Sequence, residues 1–384
     1  MTIRDIPFGR PWVTDEDRKA VLAVLDGPIL THGPAGRAFE EEFAHALGPD
    51  ARCVSVSSCM AALHLSYLAL GVGAGDEVVV PAQTHAATAH AVEWTGATPV
   101  FVDCDLQTGN VTAEAIAAAI GPRTRAIGLV HFVGIPCGMP AILALAARRG
   151  LPVVEDCALA VGARHDGRHV GLHGDAGCFS FYPVKHLTTA EGGMFVTRRS
   201  ELAERVARLR AFGVERPAAG GVPGQYDVTA LGLNYRMSEL QAALGRSQLA
   251  RLETALRRRS ENFTALKAGL EVIGDVTVLD AADPAAASSH YCVSALFGGR
   301  LGARRDDIVR RLNAAGVGTS VYYPRPVPLM TYYRTKYGHR ADRFPNAAAL
   351  SERSVALPTG PHVTLDDVDH IVGAVSAAVS AVRG

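Results

Sequence analysis

Three short stretches of this chain place chemically useful residue types where a fold can exploit them. The run Val153-Val154-Glu155-Asp156 is apolar and then acidic, so Asp156 stands at the carboxyl end of a strand. A second run ends in Phe181 and continues Tyr182-Pro183-Val184-Lys185, which sets a lysine just past another strand. A third ends in Ser57 and continues Ser58-Cys59-Met60-Ala61, the opening of a helix whose first amides point outward and favour an anion. Ligands of open parallel sheets bind beyond the strand carboxyl ends. A phosphate cup, an acid and a lysine on one such edge suggest pyridoxal phosphate (PLP). The lysine would hold the aldehyde, and the acid would keep the pyridine nitrogen protonated so that the ring accepts electrons. Taken singly, each feature has an ordinary reading: a solvated lysine, a loop-capping aspartate and an N-cap serine.

The elements that must position these groups are legible between Arg52 and Thr197. Strand candidates are Cys53–Ser57, Glu77–Pro81, Pro99–Asp103, Ala126–Phe132, Pro152–Asp156, Cys178–Phe181 and Gly193–Thr197. Several are continuously apolar, as strands covered on both faces are. Helical stretches alternate with them at 60–70, 86–95, 112–120 and 140–149, which implies an α/β domain around a mostly parallel sheet. Phe39, Phe43 and Leu47 mark an amphipathic helix upstream. Downstream, Met237–Arg259 reads as one long helix, His290–Phe297 as a strand, Arg304–Ala315 as a helix, Val317–Val321 as a short strand and 364–381 as a closing helix. The expected organisation is a large α/β domain over 1–250 and a smaller α+β domain over 251–384. Ala218–Gly224 and Tyr323–Pro328 read as loops.

Composition narrows the function classes. Lys+Arg and Asp+Glu are both 38, so no basic excess points to nucleic acid. The seven cysteines include no Cys-x-x-Cys pair and most sit in apolar runs, which fits reduced thiols better than disulfides or a metal site. No apolar run reaches the roughly 18 residues of a membrane span, and Met-Thr-Ile-Arg-Asp-Ile-Pro is unlike a signal peptide. The expectation is a cytoplasmic protein with no metal, no nucleic-acid partner and no membrane partner.

The segment Phe179-Ser180-Phe181-Tyr182-Pro183-Val184-Lys185-His186-Leu187-Thr188-Thr189 resembles the lysine region of the DegT/DnrJ/EryC1/StrS family of PLP-dependent sugar aminotransferases. Val56 to Leu65, Gly73 to Pro81, Glu155-Asp156-Cys157-Ala158, Asn234 to Ala243 and Leu357-Pro358 are similar to that family in the same order, covering 30–375. The resemblance implies the type I aminotransferase fold, a large domain with a mostly parallel mixed sheet plus a smaller α+β C-terminal domain, in a homodimer with shared active sites. It implies amination of a keto-sugar, nucleotide-linked, with L-glutamate as donor. Carried over by position, Lys185 is the Schiff-base lysine and general base, and Asp156 pairs with the pyridine nitrogen. Ser180 and the amides of Cys59 and Met60 hold the phosphate, Asn234 reaches it from the neighbouring subunit, and His85 stacks on the ring.

The chain also departs from the family pattern. Met60 stands where Thr is usual and Leu159 where His or Gln is usual, while His85 replaces an aromatic residue. With His186 beside the lysine, Leu159 keeps open dehydration or deoxygenation of a sugar; a cyclitol ketone and a non-catalytic regulator are further alternatives. The retained Lys185 favours amino transfer. His131, after a strand, reads either as a substrate contact or as packing. Tyr322 reads either as lining the substrate mouth or as packing, and Arg236 either as an anion-binding group or as a structural ion pair. Gly192-Gly193 reads as a tight backbone turn.

Overall fold

A computed structural model of the chain describes residues 4–215 and 224–384. Among these, seven strands form one sheet: β1 Arg52–Val56, β2 Glu77–Pro81, β3 Thr98–Val102, β4 Thr124–Val130, β5 Val153–Asp156, β6 Ala176–Ser180 and β7 Gly193–Thr197. Their spatial order is β1-β7-β6-β5-β4-β2-β3. Only β7 runs against its neighbours; every other pairing is parallel. The carboxyl ends of β1, β6, β5, β4 and β2 therefore share one edge. Register places Ser180 and Val56 both opposite Gly193, and Asp156 opposite Cys178.

Helices cover both faces of the sheet, which is why its strands are apolar on both sides. The helices of this part of the chain are α1 Asp15–Leu25, which packs on α8, α2 Pro34–Leu47, α3 Cys59–Ala69, α4 Ala86–Glu93, α5 Ala113–Ala119, α6 Met139–Arg149, α7 Ser200–Leu209 and α8 Glu239–Leu249. Local signals set their ends. Ser58 caps α3 by accepting from the Ala61 amide at 3.1 Å. Gly150 closes α6 in the left-handed conformation at φ 63°. Helix α3 is apolar nearly all round and lies buried, with Ala62, Leu63, Leu65 and Tyr67 almost wholly inaccessible.

The expected long helix over 237–259 is two helices, α8 and α9, the latter Leu252–Glu271. Arg251 leaves helical geometry at φ −119°, ψ 13°, and its guanidinium binds Asp17 and the Trp12 carbonyl. That tertiary anchor outweighs local helical propensity at the joint. The remaining α-helices of seven residues or more among the described residues are α10 Arg305–Ala314, α11 Thr331–Tyr337, α12 Pro345–Arg353 and α13 Leu365–Arg383.

A smaller antiparallel sheet joins β8 Val276–Val278, β9 Cys292–Phe297 and β10 Ser354–Pro358. With α9, α10 and α13 it encloses a second core that includes Phe263, Leu266, Val293, Ile308, Leu357 and Ile371. Ile6 from the other end of the chain also lies in this core. Its amide donates to the Gly316 carbonyl and its carbonyl accepts from Gly318, both at 2.8 Å. The expected strand over 317–321 is reduced to isolated bridges, Ile6 with Val317 and Ser320 with Ala356. No helix of the described residues is long and apolar enough to cross a membrane. Of the loop over 218–224, residues 218–223 lie outside the described residues.

Candidate active site

At the shared sheet edge, β5 ends in Asp156, which is 5% exposed. Its Oδ1 accepts from the Ala158 amide at 3.0 Å and its Oδ2 from the Thr88 hydroxyl at 2.8 Å. The Cys59 thiol lies 3.8 Å from Oδ1; burial, then the Asp156 charge, pushes that thiol's pKa well up, so it stays protonated.

Next to Asp156, β1 turns into α3. Ser58 satisfies the Ala61 amide, and the Cys59 and Met60 amides open the helix with no intrahelical partner. The end of β7 sits against this turn: a Cβ on Gly193 would lie 2.6 Å from the Cys59 nitrogen, so only glycine allows the approach. Ser180 ends β6 in the same row, and its hydroxyl is approached by the Tyr182 amide at 3.4 Å.

Past β6 the chain turns, with the Lys185 amide donating to the Tyr182 carbonyl at 2.9 Å. The Lys185 Nζ lies 5.2 Å from the centre of the Tyr291 ring. Burial lowers its pKa from an ordinary 10.5 to about 8; Cys59 and Asp156 oppose this, and Arg259 adds to it. An amine with that pKa is in part neutral near pH 8 and therefore nucleophilic.

Aromatic residues wall the site. The Tyr291 and Tyr322 hydroxyls are 2.7 Å apart, and the Tyr322 carbonyl accepts from Gln83 Nε2 at 2.9 Å. Tyr323 meets Tyr322 and His85 at ring separations of 5.2 and 5.7 Å. His85 caps α4 through Nδ1, which accepts from the Ala87 amide, and its ring stays exposed at the mouth.

This donor set fits PLP: a partly neutral amine, an acceptor carboxylate already held by two donors, and helix-opening amides beside a serine hydroxyl. Lys185, Asp156, Cys59, Met60, Ser180, His85 and Tyr322 gather at this edge. His131 does not open onto it. It is fully buried, its Nδ1 accepting from the Cys137 amide and its Nε2 bonding Glu155 at 3.0 Å. For His131 the structure therefore shows packing, with both nitrogens already used.

Arg236 stacks on Phe212 at 4.8 Å and lines a separate cavity of about 700 Å³ with Arg37, Glu40, Arg210 and Glu239. Asn234 is exposed, and the carbonyl of its neighbour Tyr235 accepts from the Ser57 amide at 2.8 Å, which keeps this peptide beside the β1–α3 turn. Leu159 is buried with an apolar side chain, and its carbonyl accepts from Ser289 Oγ at 2.8 Å. His186 Nε2 pairs with the Ser289 carbonyl at 3.1 Å.

Thr88, Tyr291 and Arg259 stand at this site and are missed by sequence reasoning. Thr88 follows His85 by one helical turn and so shares its face, which is the one local signal pointing to it.

The DegT/DnrJ/EryC1/StrS aminotransferase family model matches residues 11–376. The spore coat polysaccharide biosynthesis protein SpsC of Bacillus subtilis is 37% identical over 375 residues, 96% of each chain. Among solved structures, the aminotransferase TlmJ from Streptoalloteichus hindustanus is 35% identical with a TM-score of 0.91, covering 99% of this chain and 100% of that one. Spr1654 of Streptococcus pneumoniae in its PMP form is 27% identical with a TM-score of 0.93, covering 98% and 100%.

Proposed function

The chain belongs to the DegT/DnrJ/EryC1/StrS aminotransferase family and is a PLP-dependent transaminase with the type I aminotransferase fold; from that premise we propose that it aminates a nucleotide-linked keto-sugar with L-glutamate as donor. The observation that carries the reading is the gathering of Lys185, Asp156 and the opening of α3 at one sheet edge.

When bound, PLP supplies an electron sink for the charge left as the donor's carbon loses a proton. The chain's residues do the rest. Lys185 Nζ holds the aldehyde, takes that proton and returns one to the sugar carbon; its lowered pKa lets one group act in both directions. Asp156 keeps the pyridine nitrogen protonated, by charge and by hydrogen bonding. The Cys59 and Met60 amides, with Ser180, anchor the phosphate. His85 and Tyr322 border the ring and the acceptor mouth.

The proposal includes a cytoplasmic homodimer in which Asn234 completes the phosphate site of the partner and Arg236 binds an anionic group of the substrate. Exposed Phe212, Tyr226 and Val228 line the cavity that holds Arg236, and Leu231 is 94% exposed. Apolar surface of that kind is what a subunit interface covers.

The test is an absorbance spectrum of the holoenzyme before and after L-glutamate, followed by mass analysis of product from a nucleotide-linked keto-sugar. Loss of the visible band and gain of nitrogen in the product support the reading. A visible band indifferent to glutamate sinks the donor assignment, and a product that has lost water without gaining nitrogen shifts the activity to dehydration.

A further inference from the structure

Asp156 is held from two directions. The Ala158 amide, two residues on, donates to Oδ1, and the Thr88 hydroxyl, on α4, donates to Oδ2. The Cys59 thiol also lies 3.8 Å from Oδ1, but its one proton has a nearer acceptor in the Cys178 carbonyl at 3.3 Å. An aspartate carboxyl turns easily about its last bond, so a single strong donor from its own loop leaves its plane poorly defined. The donor from a separate element fixes that plane.

Thr88 has one hydroxyl proton, and an ionised carboxylate can only accept. That proton therefore goes to Asp156. The second contact of Thr88, with the Thr84 hydroxyl at 2.7 Å, must then run from Thr84 to Thr88. Thr88 and Thr84 are 0% and 1% exposed, so water does not substitute for either bond. The three oxygens form a directed chain, in which each bond polarises the next.

We propose that Thr88, backed by Thr84, is a positioning residue that fixes the Asp156 carboxylate for its contact with the PLP ring. This rests on the proposed placement of Asp156 at the pyridine nitrogen. The turn between β2 and α4 then serves the cofactor twice, since His85 borders the ring and Thr88, one turn later, orients the acid.

The experiment measures the PLP dissociation constant of each variant by equilibrium dialysis, with melting of the apo-proteins recorded separately. Thr88→Val keeps the shape and removes the donor, and is expected to weaken PLP retention roughly tenfold or more, as loss of a hydrogen bond to a charged group does. Thr88→Ser restores the hydroxyl and is expected to recover most of the loss. In an Asp156→Ala background Thr88→Val is expected to add nothing further, because the two act as one unit.

If Asp156→Ala weakens PLP but Thr88→Val does not, the placement of Asp156 stands and this proposal falls. If the two losses add, Thr88 acts on the fold and not through Asp156, and the proposal falls again. If Asp156→Ala binds PLP like the parent, the placement fails and takes the proposal with it. Should Thr88→Val not fold, Thr84→Val reads the same chain: about threefold weaker retention supports it, and unchanged retention overturns it.

Discussion

Replacing Lys185 by methionine should abolish activity and make the apo-protein more stable. Burial of the amine lowers its pKa from 10.5 to about 8. The unfolded chain holds the ordinary value, so between pH 8 and pH 10.5 the unfolded state binds more protons than the folded one, and stability rises with pH across that window. Below pH 8 the folded state carries the full penalty of burying the charged form, about 3 kcal/mol at 1.36 kcal/mol per pKa step. Lys185→Met removes that penalty while keeping the length of the side chain. Urea denaturation of both apo-proteins should therefore differ by about 3 kcal/mol at pH 7, about 2 at pH 9 and less than about 1 at pH 10.5. Other groups titrate alike in both proteins and cancel in the difference. Equal stabilities at pH 7, or a gap that does not narrow with pH, would refute the desolvated amine and with it the proposed source of its nucleophilicity.

Two substitutions away from the lysine are informative as well. Gly193→Ala sets a methyl group 2.5–2.6 Å from Ser58 and Cys59; it is expected to cost about 2 kcal/mol by overpacking and to weaken PLP binding, read by thermal melting and dialysis. Glu93→Ala removes the acceptor shared by Tyr332, Lys336 and Tyr337, each within 2.6 Å. It should release α11 from α4 at a cost of about 1–3 kcal/mol, with faster amide exchange over Thr331–Tyr337.

The sheet is legible in the sequence because a strand buried on both faces writes its own signal, an unbroken apolar run such as Val153-Val154 or Val78-Val79-Val80. Lys185 and Asp156 are legible for the same reason, since the ends of those runs are visible. What depends on distant partners is not. Arg251 breaks a helix because Asp17 and Trp12 claim its guanidinium, more than 200 positions away in the chain. Helix α1 is absent from the expected elements although Asp17 marks its start, its carboxylate accepting from the Thr14 amide. His131 invites a functional reading by standing after β4, but its partner Glu155 lies inside the next strand, where no spacing rule reaches. Thr88 is the converse case: a hydroxyl on a helix carries no pattern of its own, and only the fold shows which carboxylate it serves.

The seating of Ile6 beside Gly316 and Gly318 bears on how the chain is made as well as how it stands. Ile6 completes a core whose other members begin only at Phe263, more than 250 positions further along the chain. Closing a segment of roughly 310 residues carries a loop-closure cost of about 5 kcal/mol, which β8 to β10 and their helices must offset together. Contacts of such sequence separation slow folding. The sheet that carries Lys185 and Asp156 can thus form during synthesis, while the second core stays open until the segment from Phe263 onward arrives and closes over Ile6.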